Sequence, residues 1–280
     1  MNKTLKNKSS NKKYIVAAVS ILLLIAAALV FIYFTQEQKS DPASEKIIRE
    51  AAAKQLNKDP NELTDKDFAN ITKFAIRTQE LADIKLLEKF TNLQNLTLTN
   101  IRFPARHIPA WMKILAKAGI FDLNEKFLLD IRPLENLSGL QELSLTGSKI
   151  SNLQPIKGFS NLQILHIENT LIFDLEPVME MISLKELYLN GTKVSNLEPI
   201  KKLTNMEILS IGSTQVSGLE PIKGMTKLNF LFLMKTNVSD LTPLRGLTNL
   251  GLLDIRNCSN ITDEQVENLQ KALPNLEISR

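Results

Sequence analysis

Side chains that usually carry proton transfer, nucleophilic attack or metal binding are scarce in this chain: two histidines, His107 and His166, and one cysteine, Cys258, among 280 residues. General acid-base catalysis needs such groups to converge in one pocket. The two histidines instead fall in different units of a repeating pattern, about three units apart. A Cys258/His166 pair would have to bridge four strands, about 19 Å at about 4.8 Å per strand. One cysteine allows no intrachain disulfide and no multi-cysteine metal site. Phosphate-binding glycine loops, a dinucleotide fingerprint and an H-E-x-x-H zinc motif are absent from the sequence. The sequence therefore predicts no catalytic residue, no metal and no cofactor, and attention moves to the elements that could present a binding surface.

Composition is ordinary for a globular protein, with 44% apolar and 23% charged residues, which excludes a wholly disordered, collagen-like or disulfide-stapled chain. The formal charge of +4 is unevenly placed: residues 1–13 hold five lysines and no acid, leaving −1 on the remainder. So neutral a body argues against a nucleic-acid partner, whose phosphates call for a Lys/Arg-rich face. Tyr14 to Phe34 are 21 consecutive residues without a charge. As a helix they would span about 31 Å, against about 30 Å of bilayer hydrocarbon. The positive-inside rule puts the preceding lysines in the cytoplasm and everything after Phe34 outside it, periplasmic or extracellular. A cleaved signal peptide is the competing reading, but Ala26, Ala27 and Ala28 lie mid-segment rather than at a terminal cleavage site. The expected organisation is a basic cytoplasmic tail at 1–13, a single-pass transmembrane anchor in the cytoplasmic membrane at 14–34, a linker at 35–41, and folded regions at 42–70 and 71–280.

Internal periodicity dominates the folded part. Units starting at Leu140, Leu162, Leu184, Met206, Leu228 and Leu250 follow one another at 22-residue intervals. Counting back places further starts at Ala118, at Leu93 with a 25-residue unit, and at Ile71, nine units in all. Each opens L-x-x-L-x-L, alternating apolar and polar like a half-buried strand. One unit cannot bury its own later apolar residues, so the units must stack, each adding a short strand to a parallel sheet. A proline recurs at Pro133, Pro155, Pro177, Pro199, Pro221 and Pro243, where extended or 3₁₀ backbone is expected instead of a full helix.

These lines resemble the leucine-rich repeat family, and GTKVSNLEPIKKLTNM resembles the short units of bacterial internalin-like proteins. The resemblance implies an α/β repeat solenoid with a parallel sheet on its concave face, a helical N-terminal cap at 42–70 and repeats through 71–280. The family usually has Asn where this chain has Thr170, Thr192, Thr214 and Thr236, flanked by Ser148 and Cys258. Hydroxyls there are expected to bond amides the turn leaves unpaired, since a buried orphan costs about 1–3 kcal/mol. The last unit resembles the cysteine-containing subtype, with Thr262 and Gln265 forming a capping box before a helix. Asp41 and Pro42 suit the start of the first cap helix, whose apolar face would be Ile47, Ile48, Ala51, Ala52 and Leu56. Thr64 and Asp67 suit a second helix start. The family shares a scaffold and not a chemistry. What it implies is a protein partner.

Outward strand positions fall two, four and six residues after each unit's start. In the early units they are mixed and polar, for example Thr97, Asp122, Ser144 and Thr146. From Ile164 they turn apolar, and Ile164, His166, Tyr188, Ile208, Phe230, Phe232, Met234 and Leu252 are the expected partner-binding residues, centred on Tyr188 and Phe232. Together they span roughly 250 Å², near the size at which an exposed apolar patch usually has a use. The expected role is a non-catalytic, membrane-anchored binder of a protein ligand. A structural or adhesive envelope component and an accessory subunit of a membrane complex are the alternatives.

Overall fold

In a computed structural model of the chain, the residues described are 40–77, 81, 83–99 and 130–280. The expected basic tail, the transmembrane anchor and most of the linker lie outside them, as do His107 and Trp111. Among the described residues no helix is long and apolar enough to cross a membrane. The expected fold is corrected accordingly: the solenoid with its parallel sheet stands, and the preceding transmembrane helix is not supported. The longest described helix, α1 (Pro42–Leu56), has 15 residues, about 22 Å of helix. It carries Glu45, Lys46, Arg49, Glu50 and Lys54, charges that no bilayer core accommodates cheaply.

Local chemistry starts and stops α1. The Asp41 carboxylate accepts from the Ser44 amide at 2.9 Å, Pro42 occupies the first turn, and Asn57 closes the helix in the left-handed region at φ 53°. Ile48, Ala52 and Ala53 are buried, while Ile47, Ala51 and Leu56 pack at the margin of the same core. A short second helix, α2 (Asp65–Ala69), opens with a reciprocal Thr64/Asp67 capping box and buries Phe68 against Phe90, ring centroids 5.2 Å apart.

Among the described residues nine strands then follow in chain order as one parallel sheet: β1 (Lys73–Arg77), β2 (Asn95–Thr99), β3 (Glu142–Ser144), β4 (Ile164–His166), β5 (Glu186–Tyr188), β6 (Ile208–Ser210), β7 (Phe230–Phe232), β8 (Leu252–Asp254) and β9 (Glu277–Ser279). Eight of them open expected units, those from Ile71, Leu93, Leu140, Leu162, Leu184, Met206, Leu228 and Leu250, and one follows the last unit. β2 pairs directly with β3, Asn95 opposite Glu142, and the Gln141 amide donates to the Gln94 carbonyl at 2.8 Å. The edge of β2 is thus already used by β3, and of the unit expected from Ala118 only residues from 130 onward are among those described. That unit still contributes the 3₁₀ turn Arg132–Leu134, which stacks between the turns at Lys85–Lys89 and Gln154–Ile156. The ninth strand comes from Glu277–Ser279, beyond α3 (Asp263–Ala272), whose Thr262/Gln265 capping box is formed.

Three recurring devices hold the regular repeats, the second of them replaced in the unit from Met206, where Gly218 stands at the Asx position. The first is inward packing: in the unit from Leu184, Leu184, Leu187, Leu189, Val194, Leu197, Ile200 and Leu203 are all buried, and their equivalents stack above and below. The second is an Asx turn that opens the 3₁₀ segment before the proline. Asn152, Asp174, Asn196 and Asp240 accept from the amide two residues on at 2.8–2.9 Å. The third is a left-handed residue after every strand from β3 to β8: Gly147, Asn169, Gly191, Ser213, Lys235 and Asn257, with φ from 55° to 70°. Glycine and asparagine take that conformation readily, whereas Ser213 and Lys235 do so against steric cost.

The inward hydroxyls behave differently from expectation. Thr170, Thr192 and Thr214 donate to the carbonyls of Ile167, Leu189 and Ile211 at 2.6–2.7 Å. They serve carbonyls of the preceding strand end and not orphan amides, because the Thr192 amide, for instance, already reaches Leu189 O.

Two stability predictions follow from this packing. Leu187→Ala and Leu209→Ala each cost about 2–5 kcal/mol in urea unfolding, since neither cavity can collapse between stacked neighbours. Ser213→Gly and Lys235→Gly stabilise by about 0.5–1 kcal/mol, because glycine relieves the left-handed strain; equal destabilisation would overturn the conformation assigned to those residues.

Candidate functional site

Among the described residues, no group of three or more His, Cys, Asp or Glu side chains is placed to hold a metal ion. Cys258 is buried, and its thiol is directed at the Leu233 carbonyl at 3.1 Å, with Thr236 Oγ1 beside it at 3.5 Å. His166 lies on β4 of the concave sheet, remote from that thiol. Grooves lined by Asn70, Asn92 and Gln94, or by Thr242, Arg245 and Gln265, contain neither histidine nor cysteine. The concave sheet is therefore the surface to build from the residues upward.

Strand register brings the expected site residues side by side. His166 is opposite Tyr188, Tyr188 opposite Ser210, and Ser210 opposite Phe232; Ile208, Phe230 and Leu252 form the adjacent row. The face nevertheless divides in two. On β4 and β5 the His166 and Tyr188 rings stack with centroids 4.2 Å apart and planes 6° from parallel. The Tyr188 hydroxyl donates to Glu186 Oε2 at 2.7 Å, and His166 Nδ1 lies 3.4 Å from Glu168 Oε1, which belongs to a carboxylate that also accepts from Thr146 at 2.7 Å. Tyr188, expected at the centre of an apolar patch, is instead the middle of a polar aromatic cluster.

Electrostatics follow this geometry. Burial opposes ionisation of Glu168, but the hydrogen bonds from His166 and Thr146 outweigh it and hold its pKa below the usual carboxylate value. Burial raises the Tyr188 pKa well above that of a free phenol, reinforced by its bond to Glu186 and the nearby Glu168 charge. The phenol thus stays a donor and the Glu168 carboxylate stays anionic across the neutral range.

The apolar half lies on β6 to β8. Phe230 is 37% exposed, with Ile208, Phe232, Met234 and Leu252 half-buried around it. Met234 lies over Gly212, where an added Cβ would sit 2.7 Å from Met234 Cγ. Asn190 forms the seam between the halves, accepting from Ser210 Oγ at 2.9 Å and the Gly212 amide at 2.7 Å. Ser210 and Ser144 point outward yet are buried, because larger residues on flanking strands stand above them. Asp254 is also buried, and Arg256 covers it with a 2.7 Å ion pair that lowers its pKa.

Sequence reasoning named the apolar row and His166 but missed Glu168, Glu186 and Asn190. Their signal was present in the outward columns of the aligned units, where carboxylates fall on consecutive strands. It also missed Phe173 and Ile182, 63% and 58% exposed, which stand where the units from Leu140, Leu184, Met206 and Leu228 have serine or threonine.

Stacked 22-residue units with one strand and one 3₁₀ turn each define a leucine-rich repeat solenoid. In agreement, residues 182–224 match the family described as Leucine Rich repeats (2 copies). The fold is internalin-like. Internalin C2 from Listeria monocytogenes matches at TM-score 0.68 and 24% identity, covering 86% of this chain and 99% of its own. An internalin, InlF, from the same species matches at TM-score 0.54 and 24% identity, covering 85% of this chain and 77% of its own. A leucine-rich repeat protein from Leptospira interrogans matches at TM-score 0.62 and 23% identity over 77% of this chain and 50% of that one. Comparison with curated proteins returned no match.

The aromatic cluster generates a spectroscopic prediction. In an alkaline titration followed by phenolate absorbance, the wild type minus Tyr188→Phe difference shows no ionisation at pH 10, the ordinary tyrosine midpoint. Half-ionisation there would show that the Glu186 bond and the burial are not present in solution.

Proposed function

We propose that the chain is a non-catalytic binding module that captures a protein partner on its concave sheet. The observation that carries this reading is the row of Phe230, Phe232, Ile208, Met234 and Leu252, which reaches solvent on a sheet whose inward face already supplies the packing. Strand propensity favours such residues in general, but β2 and β3 form the same sheet with Thr97 and Ser144 at the equivalent positions. Aromatic side chains on such a face are the ones that commonly dominate binding energy. In this reading the array works outside the cytoplasm, supported by the apolar run at 14–34 behind five lysines.

A second reading, an adhesive component with contacts spread over the array, is favoured by the exposed Phe173 and Ile182 outside the concave sheet. A photo-crosslinking phenylalanine analogue separates the two. Placed at position 232 in native cells it is expected to capture one partner, whereas placed at the exposed Lys201 it is not. With that partner purified, Phe230→Ala and Phe232→Ala each weaken binding about thirtyfold, and Thr97→Ala leaves it nearly unchanged. Wild-type affinity in both phenylalanine variants overturns the concave-sheet assignment, and loss of binding in Phe173→Ser and Ile182→Ser would favour the spread-contact reading.

A further inference from the structure

Between its ends the sheet is electrically one-sided, its basic outward residues being Lys73 and Arg77 on β1 and Arg256 after β8. From β3 to β7 its outward positions include Glu142, Glu168 and Glu186 on three consecutive strands and not one lysine or arginine. Of the basic residues in the same repeats, Lys157, Lys201 and Lys223 are exposed beside the 3₁₀ turns, while Lys185 and Lys235 are exposed at the ends of the strand segments, outside the outward columns. A body of nearly zero net charge thus presents an anionic, aromatic concave surface. Glu142 is occupied by the Asn95 amide at 2.6 Å, which leaves the Glu168–His166–Tyr188–Glu186 cluster as the place where negative potential and an aromatic ring coincide.

Resting on the concave-sheet reading, we propose that the partner contributes an extended segment bearing a lysine or arginine and, about three residues away, an aromatic or branched apolar side chain. The cation lies against the face of the Tyr188 ring that the stacked His166 leaves open, drawn there by the charges of Glu186 and Glu168, and the apolar side chain lies on Phe230 and Phe232. A cation meets both the negative face of an aromatic ring and charge-assisted acceptors there. An acidic or phosphorylated segment would meet uncompensated like charge, and a purely apolar one would bury Glu168 and Glu186 without a counterion. The spacing comes from the sheet: β5 and β7 are two strand gaps apart, about 9.6 Å, and an extended chain crossing the strands covers that in about three residues at about 3.3 Å each.

Both carboxylates are held in place before any partner arrives. Tyr188 holds Glu186 on one side of the ring pair, while His166 and Thr146 hold Glu168 on the other. Hydrogen bonding keeps Glu168 ionised despite its partial burial. Little side-chain ordering is left to be done on binding, which lowers the entropic cost of association.

The test selects a displayed library of random twelve-residue peptides on the immobilised full-length chain and synthesises the most enriched sequences. Enrichment of a Lys or Arg about three residues from a Phe, Tyr, Trp, Leu or Ile is expected. Such a peptide should bind at least tenfold more weakly to the Glu168→Gln/Glu186→Gln double variant, and it should weaken with added salt. Glutamine preserves the acceptors for Tyr188 and Thr146, and an unchanged circular dichroism spectrum and melting temperature establish that the variant is folded. Three outcomes overturn the cation assignment: peptides without a basic residue, undiminished binding to the double variant, or no enrichment at all. If Phe232→Ala abolishes peptide binding while the double variant does not reduce it, the concave-sheet reading stands and the cation assignment fails. If neither variant reduces binding, both fail.

Discussion

Everything in this fold depends on the fact that no single repeat can bury its own apolar residues. A 22-residue unit carries seven inward side chains around one three-residue strand, and alone it would leave most of them in water. Stacking solves this only if neighbours keep the same register, so the strand, the left-handed turn and the Asx-opened 3₁₀ segment recur with little variation from Leu140 onward. Stability is then close to a sum of repeat and nearest-neighbour contributions. The ends have no neighbour, and other elements cover them: α1 and α2 with Phe68 at the start, α3 with Leu269 and the added β9 at the end.

The same constraint frees the outward columns. Residues facing the concave side bear on stacking only through their size relative to flanking strands, as buried Ser210 between Tyr188 and Phe232 shows. Chemistry can therefore change from strand to strand without disturbing the core. In this chain the sheet passes from Thr97 and Ser144, through a hydrogen-bonded aromatic pair, to phenylalanines. The proposed binding role draws on that gradient.

The repeat, its strand phase, the proline-bound 3₁₀ turns and the capping boxes were legible in the sequence because each depends on local pattern and a fixed period. Membership of the sheet was less so. β2 pairs with β3, 47 residues on in sequence, and at the β9 segment Leu273, Leu276 and Ile278 repeat the L-x-x-L-x-L opening off the 22-residue interval, 23 residues after Leu250. Spacing cannot report which edge a preceding strand leaves open. At the site, the row of Phe230 and Phe232 was readable, while the pairing of Tyr188 with Glu186 and of His166 with Glu168 depends on side-chain conformers that no period encodes. The direction of the threonine hydroxyls was hidden for the same reason, since a hydroxyl both donates and accepts.

Cys258 closes the column of inward hydroxyls with sulfur, and it is the chain's one thiol. Held against Leu233 O inside the last full turn of the solenoid, it meets an electrophile only when that turn comes apart. Alkylation kinetics would consequently read out how often the C-terminal end frays, separately from global unfolding, much as amide exchange resolves partial openings elsewhere. With no competing thiol, that readout requires no engineered label.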